Sequence, residues 1–133
     1  MKMVSEISIA TAADMKAGLQ YYSEMFRELK SRYPHVHIKA LTAVEIAHIA
    51  RIDKMSIEDV LIALREAGLD TLPGGGAEVF GKGVRMTIAD KKLAGEDWIE
   101  VHRVAHRLGI RSNCTMLYGH VETFADRMAH LEM

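Results

Sequence analysis

Apolar positions along this chain recur with two different periods, and segments of the two kinds alternate. Between His35 and Leu41 the period is two: Val36, Ile38 and Ala40 fall on one side of an extended chain and His37, Lys39 and Leu41 on the other, which predicts a strand. Leu19, Tyr22, Phe26 and Leu29 recur at helical spacing, so Asp14 to Lys30 is expected to be a helix, stopped by Tyr33-Pro34. A further helix is expected from Val44 to Ile52. Ser56, with Asp59 three residues on, reads as an N-cap for the stripe Ile57, Val60, Leu61 and Leu64, which stops at Gly68. Asp97 to Leu108 repeats the pattern with Trp98, Val101, Ala105 and Leu108, ended by Gly109. Shorter runs at Glu6 to Thr11, Leu69 to Leu72 and Ile110 to Leu117 read as strands. Along the last, Arg111, Asn113 and Thr115 share one face and Ser112, Cys114 and Met116 the other.

Strand, loop, helix, glycine and strand thus repeat about four times, which predicts an α/β fold with parallel strands and crossover helices. The expected architecture is one domain over residues 1–133, a partial β/α (TIM-type) barrel. Such barrels need more strands to close. The chain also stops within an amphipathic run, Met128 to Met133, so it is expected to be a piece of a larger barrel. Three unusual segments, Thr42 to Glu45, Pro73 to Glu78 and Tyr118 to Glu122, each follow a strand's C-terminal end, where parallel α/β folds bind ligands.

Composition narrows the partners. With 133 residues, 26% of them charged, and a formal charge of -1, the chain offers no basic surface for nucleic acid, which is not an expected partner; a small-molecule substrate is what the family resemblance described below implies. No apolar run reaches the ~18 positions of a membrane helix and no secretory leader is visible, so a cytoplasmic protein without membrane contact is expected. Open sheet edges would allow homo-oligomers. Cys114 is the only cysteine, which excludes an intrachain disulfide and a four-iron cluster held by three thiolates of this chain. It reads as a small core residue.

Several side chains could carry chemistry. Gly74, Gly75 and Gly76 leave no Cβ in the way of a ligand, and Glu78 could bind an ammonium; the same residues could equally form a tight turn with no ligand. Lys39 could enter a barrel lumen and anchor a carboxylate, or lie exposed on an edge strand. Asn113 and Thr115 could reach ribose hydroxyls or merely be solvated. His102 and His106, four apart on a helix, with His120 and Glu122, invite a zinc-hydrolase reading. Arg103 and Arg107 beside them would repel a cation, so the expected metal set is none and the default is packed histidines.

The run His37 to Glu45, the loop Leu72-Pro73-Gly74-Gly75-Gly76-Ala77-Glu78, Val101-His102-Arg103 with His106 to Gly109, and Ser112 to Thr123 together resemble the radical S-adenosylmethionine enzymes of menaquinone assembly, and within them aminofutalosine synthase. The resemblance covers about three quarters of the chain. It implies a barrel in which a 4Fe-4S cluster and S-adenosylmethionine supply a 5′-deoxyadenosyl radical that adds to 3-[(1-carboxyvinyl)oxy]benzoate. Thr115 to Glu122 would take the place of the family's adenine-contacting Gly-x-Ile-x-Gly-x-x-Glu motif. The implied cofactor residues are Gly74, Gly75, Gly76, Glu78, Asn113, Thr115, Tyr118, Gly119, His120 and Glu122, and the implied substrate residues are Lys39, Thr42 and Glu45.

The chain departs from the family in two places. The cluster motif Cys-x-x-x-Cys-x-x-Cys has no counterpart, and Ala10 to Asp14 replaces a Gly-Gly-x-His-Pro stretch that helps hold the cofactor. The chain alone is therefore expected to be inactive. The alternatives are a piece of the related cyclic dehypoxanthine futalosine synthase, or a degenerate barrel piece acting through binding or oligomerisation.

Overall fold

The helix signals translate most directly into structure. A computed structural model describes residues 6–9, 17–89 and 93–133, without the side chains of 7–9. The predicted ends at Thr11 and Asp14, and the divergent stretch 10–14, lie outside the described residues. Helix α1 spans Leu19–Arg32, and Ala17 and Gly18 stand before it rather than within it. Helix α2 spans Ala43–Asp53 and α3 spans Ile57–Ala67. At α3 both predicted caps are present: Ser56 Oγ accepts from the Asp59 N–H at 3.0 Å, and Gly68 takes φ 116°. Its stripe Val60, Leu61 and Leu64 is fully buried, and each such side chain contributes about 1.5–3 kcal/mol.

Strands β1 (Glu6–Ile9), β2 (His37–Ala40), β3 (Thr71–Leu72) and β4 (Arg111–Ser112) pair with parallel neighbours in sequence order, β1-β2-β3-β4. Lys39 lies in register with Thr71, and Thr71 with Arg111. Ile38, Ala40 and Leu72 join the core with Phe26, Ile46, Leu61 and Leu64 from the helices. His37 and Lys39 take the other face, where His37 Nε2 meets Thr71 Oγ1 at 2.8 Å.

Two strand expectations need correction. Leu41 does not continue the polar face: its φ is 61°, and this left-handed residue turns its side chain into the core, fully buried. The last strand ends at Ser112 instead of Leu117, because the following segment leaves the ladder to pair with the glycine loop. Alternation therefore says nothing about residues 113 to 117, and Cys114 is exposed rather than in the core.

Helix α4 (Lys82–Ile88) has no counterpart in the apolar pattern. It carries an internal glycine and no Ser, Thr, Asp or Asn cap, and its one buried residue is an arginine. Helix α5 (Gly95–Arg107) starts two residues earlier than expected, and α6 (Phe124–Glu132) is capped by Thr123, whose hydroxyl accepts from the Asp126 N–H at 3.2 Å. A Cβ on Gly83 would meet nothing within 4 Å. Gly83→Ala should therefore raise stability by about 0.5–1 kcal/mol through helix propensity, read as a higher urea midpoint with unchanged slope. An unchanged or lower midpoint would count against α4 as a formed helix.

Candidate functional site

The loops after β2, β3 and β4 close on one another at the C-terminal end of the sheet. A Cβ on Gly74 would lie 2.4 Å from Asn113 O and 2.8 Å from Cys114 Cα, one on Gly75 3.2 Å from Thr42 Cγ2, and one on Gly76 2.7 Å from Val44 Cγ2. The protein itself uses the room that these glycines leave. Gly76 also takes φ 84°, which favours glycine, while Glu78 holds φ 52° without being one.

The polarity of this loop follows from its partners. Thr115 Oγ1 donates to Gly74 O at 2.7 Å, Trp98 Nε1 to Gly75 O at 3.1 Å, and the Leu117 N–H to Glu78 O at 2.9 Å. Arg85, from α4, donates to Gly76 O at 3.0 Å, Ala77 O at 2.5 Å and Val79 O at 3.5 Å. Each carbonyl from Gly74 to Val79 thus accepts a bond from the protein. The sequence reading missed Arg85 and Trp98 in this role. The signal for Arg85 was an arginine in an otherwise weak helix.

After β2, Glu45 Oε2 accepts from the Thr42 N–H at 2.7 Å and from Thr42 Oγ1 at 2.9 Å, the reciprocal cap of α2. Glu45 Oε1 is buried without a partner among the described residues. Lys39 lies part-buried on the sheet face away from the helices, beside the His37–Thr71 bond.

The segment after β4 is organised by Glu122. Its carboxylate, with no exposed side-chain surface, accepts from the Gly119 N–H at 2.6 Å and the His120 N–H at 2.9 Å and pairs with Arg127 at 2.7 Å. The Gly119 bond leads in holding its pKa down at about 2. His120 is bound into the same turn, taking the Val121 N–H on Nδ1 at 2.7 Å and meeting Leu117 O through Nε2 at 3.0 Å. Tyr118 stays largely exposed beside the Arg127 guanidinium. Gly119, at φ 88°, has open space above its Cα.

His102 and His106 do not converge with His120 and Glu122, and among the described residues no group of three His, Cys, Asp or Glu side chains is placed to hold a metal ion. They converge on Ser112 instead, whose Oγ lies 2.7 Å from His102 Nδ1 and 2.8 Å from His106 Nε2. His102 stacks on Trp98 with centroids 3.8 Å apart. Burial, with His106 adding to it, pulls its pKa down to about 4.

A histidine depressed in the fold contributes stability that is complete above its unfolded pKa of about 6.5 and is lost as pH falls toward 4. Between pH 7.5 and 5 the unfolding free energy should therefore drop by about 2 kcal/mol, and His102→Gln should flatten that slope. Urea titrations at the two pH values decide this; a flat profile in the unmodified protein would overturn it.

Turns that follow three successive strands thus meet at one end of the sheet. No family model matches the chain. Aminodeoxyfutalosine synthase of Thermus thermophilus is 46% identical over 129 residues, covering 97% of this chain and 35% of its own length. The Streptomyces coelicolor enzyme of the same name is 43% identical, with 96% and 33% covered. Cyclic dehypoxanthine futalosine synthase of Streptomyces coelicolor is 43% identical over 116 residues, with 87% and 29% covered. The chain spans about a third of the length of these relatives, and over that third it is similar to aminodeoxyfutalosine synthases and to cyclic dehypoxanthine futalosine synthase.

Proposed function

We propose that this chain is an arc of a radical S-adenosylmethionine β/α barrel of the futalosine route to menaquinone, of the aminodeoxyfutalosine synthase type, and that its loop rim forms part of the site for S-adenosylmethionine. Parallel strands in sequence order with helices between them support the barrel reading, since a doubly wound sheet would reverse its order. The observation that carries the functional reading is the meeting of Thr42 to Glu45, Gly74 to Glu78 and Asn113 to Glu122 at one end of that sheet. With the loop carbonyls occupied, the amides of Gly75 and Gly76 would face the cofactor's carboxylate, Glu78 its ammonium, and Gly119 its nucleoside. Asn113, Thr115, Tyr118, His120 and Glu122 would shape or line that nucleoside pocket, and Lys39, Thr42 and Glu45 would meet the substrate.

The iron-sulfur cluster does not fit this chain, which has one cysteine. No step of the reaction is therefore assigned to it, and the chain by itself should be inactive. S-adenosylmethionine titrated into the protein should shift the Gly75, Gly76 and Gly119 amide signals in NMR, while reconstitution with iron and sulfide should leave no chain-bound four-iron chromophore. Shifts confined to other residues, or a bound cluster, would overturn the reading. A second reading, a barrel piece that acts by association, draws on the exposed apolar stripe of α6: Phe124, Met128 and Leu131. Sizing chromatography separates the two, because a dilution-independent monomer argues against association.

A further inference from the structure

Three consecutive strands put a row of polar side chains on the sheet face away from the helices. Lys39 stands in register with Thr71, and Thr71 with Arg111. The next residue along each strand faces the other way: Ala40 and Leu72 are buried in the core, and Ser112 Oγ meets His102 and His106 of α5. By pleat alternation Lys39, Thr71 and Arg111 therefore share the open face. Each is one residue short of its strand's end, so the row lies directly under the loop rim, at the strand ends where parallel α/β folds bind ligands.

The row carries two cations and no acid. Lys39 is part-buried and Arg111 exposed, and neither has a hydrogen bond or ion pair among the described residues. Elsewhere basic side chains are engaged within the protein: Lys30 on Asp70, Arg103 and Arg107 on Glu100, Arg127 on Glu122, and Arg85 on the loop carbonyls. Asp70, next to Thr71 in the chain, takes Lys30 and the Ile38 N–H instead of Lys39. Glu6 stands in register with His37, one pleat repeat further from the rim. Thr71 Oγ1 meets His37 Nε2 at 2.8 Å, which fixes the hydroxyl between the two cations. Neighbouring strands lie about 4.8 Å apart, so the Lys39 and Arg111 backbones are roughly 10 Å apart. One compact anion would serve one of these charges well, whereas a molecule with a carboxylate at each end serves both. The planar fork of arginine fits one carboxylate through two parallel bonds, and lysine supplies a compact charge for the other.

We propose that Lys39 and Arg111 together bind a small dicarboxylate lying across β3 beneath the rim, with Thr71 between its two ends, and that Arg111 selects such a dianion over a monocarboxylate. This assignment rests on the proposed substrate side of the barrel, where Lys39 already stands and Arg111 had no role. The 3-[(1-carboxyvinyl)oxy]benzoate expected there carries a carboxylate at each end.

Isophthalate, benzoate and inorganic phosphate, titrated into the intact chain at low ionic strength, provide the test. Isophthalate should saturate and shift the backbone amides of Lys39, Thr71 and Arg111, together with the Arg111 Nε–H signal, in NMR. Benzoate should bind about tenfold more weakly, the size of one hydrogen bond to a charged group, and phosphate at equal concentration should leave isophthalate bound. Arg111→Gln should bring isophthalate to the benzoate affinity at an unchanged urea midpoint, and Lys39→Gln should do the same to the affinity. Equal affinity for isophthalate and benzoate, displacement by phosphate, shifts away from this row, or an Arg111→Gln variant that binds isophthalate like the parent would overturn the proposal. The S-adenosylmethionine shifts at Gly75, Gly76 and Gly119 separate the two readings. Their persistence beside unselective isophthalate binding overturns the dicarboxylate site alone, and their absence beside selective binding overturns the cofactor rim alone. Because the probes are compared in the unmodified protein, the test decides even where a variant fails to fold.

Discussion

Arg85→Met is expected to cost about 4 kcal/mol of stability, because it strips donors from several buried carbonyls at once. The guanidinium, 6% exposed, bonds to Gly76, Ala77 and Val79 and also donates through Nε to Leu93 O at 3.0 Å, so it ties the glycine loop to the start of α5. Burial draws its pKa down, while Glu78 and Glu96 support the charge. Methionine fills much of the same volume but offers no donor. Arg85→Lys keeps the charge, yet a compact ammonium cannot reproduce the planar fork, and about half of the loss should remain. Urea unfolding measures both variants, and hydrogen exchange at the amides of 75–79 should accelerate in the order arginine, lysine, methionine. A methionine variant within about 1 kcal/mol of the parent would show that the loop holds its shape without these bonds.

Gly74→Ala should be nearly as damaging, at about 3 kcal/mol. Its Cβ would collide with the main chain of Asn113 and Cys114, and backbone cannot rotate away as a side chain tip can. The segment after β4 would have to move out, and the bonds from Thr115 to Gly74 and from Leu117 to Glu78 would be lost with it. The defect should therefore spread to the turn held by Glu122, visible as lost protection of the Gly119 and His120 amides. Gly83→Ala, a substitution into open space, is the control for any general effect of alanine. Should Gly74→Ala unfold at the parent midpoint with those amides still protected, the loops do not meet as described.

What could be read in the sequence was what depends on neighbours along the chain. The α3 stripe and both its caps and the alternation of His37 to Ala40 follow from local spacing, and all are found. The three loops that would form a rim were also visible, as glycine and acidic residues after predicted strands. The expectation failed where distant partners decide. Period-two counting carried β4 to Leu117, but the chain turns at Asn113 to reach a loop some forty positions earlier. Leu41 read as the continuation of a strand face and is instead a left-handed corner.

The sequence by itself determined the alternation of parallel strands with helices, the stops of α1, α3 and α5 and the glycines at the turns, because those choices are made by backbone preference and by burial of one face. Only the tertiary structure decided how the glycines are used, which atoms Arg85 serves, and that His102 and His106 turn to Ser112 rather than to His120 and Glu122. The reason is physical: a missing Cβ or a buried donor has no meaning until the surface it faces is known, and here that surface is brought up by folding from another part of the chain.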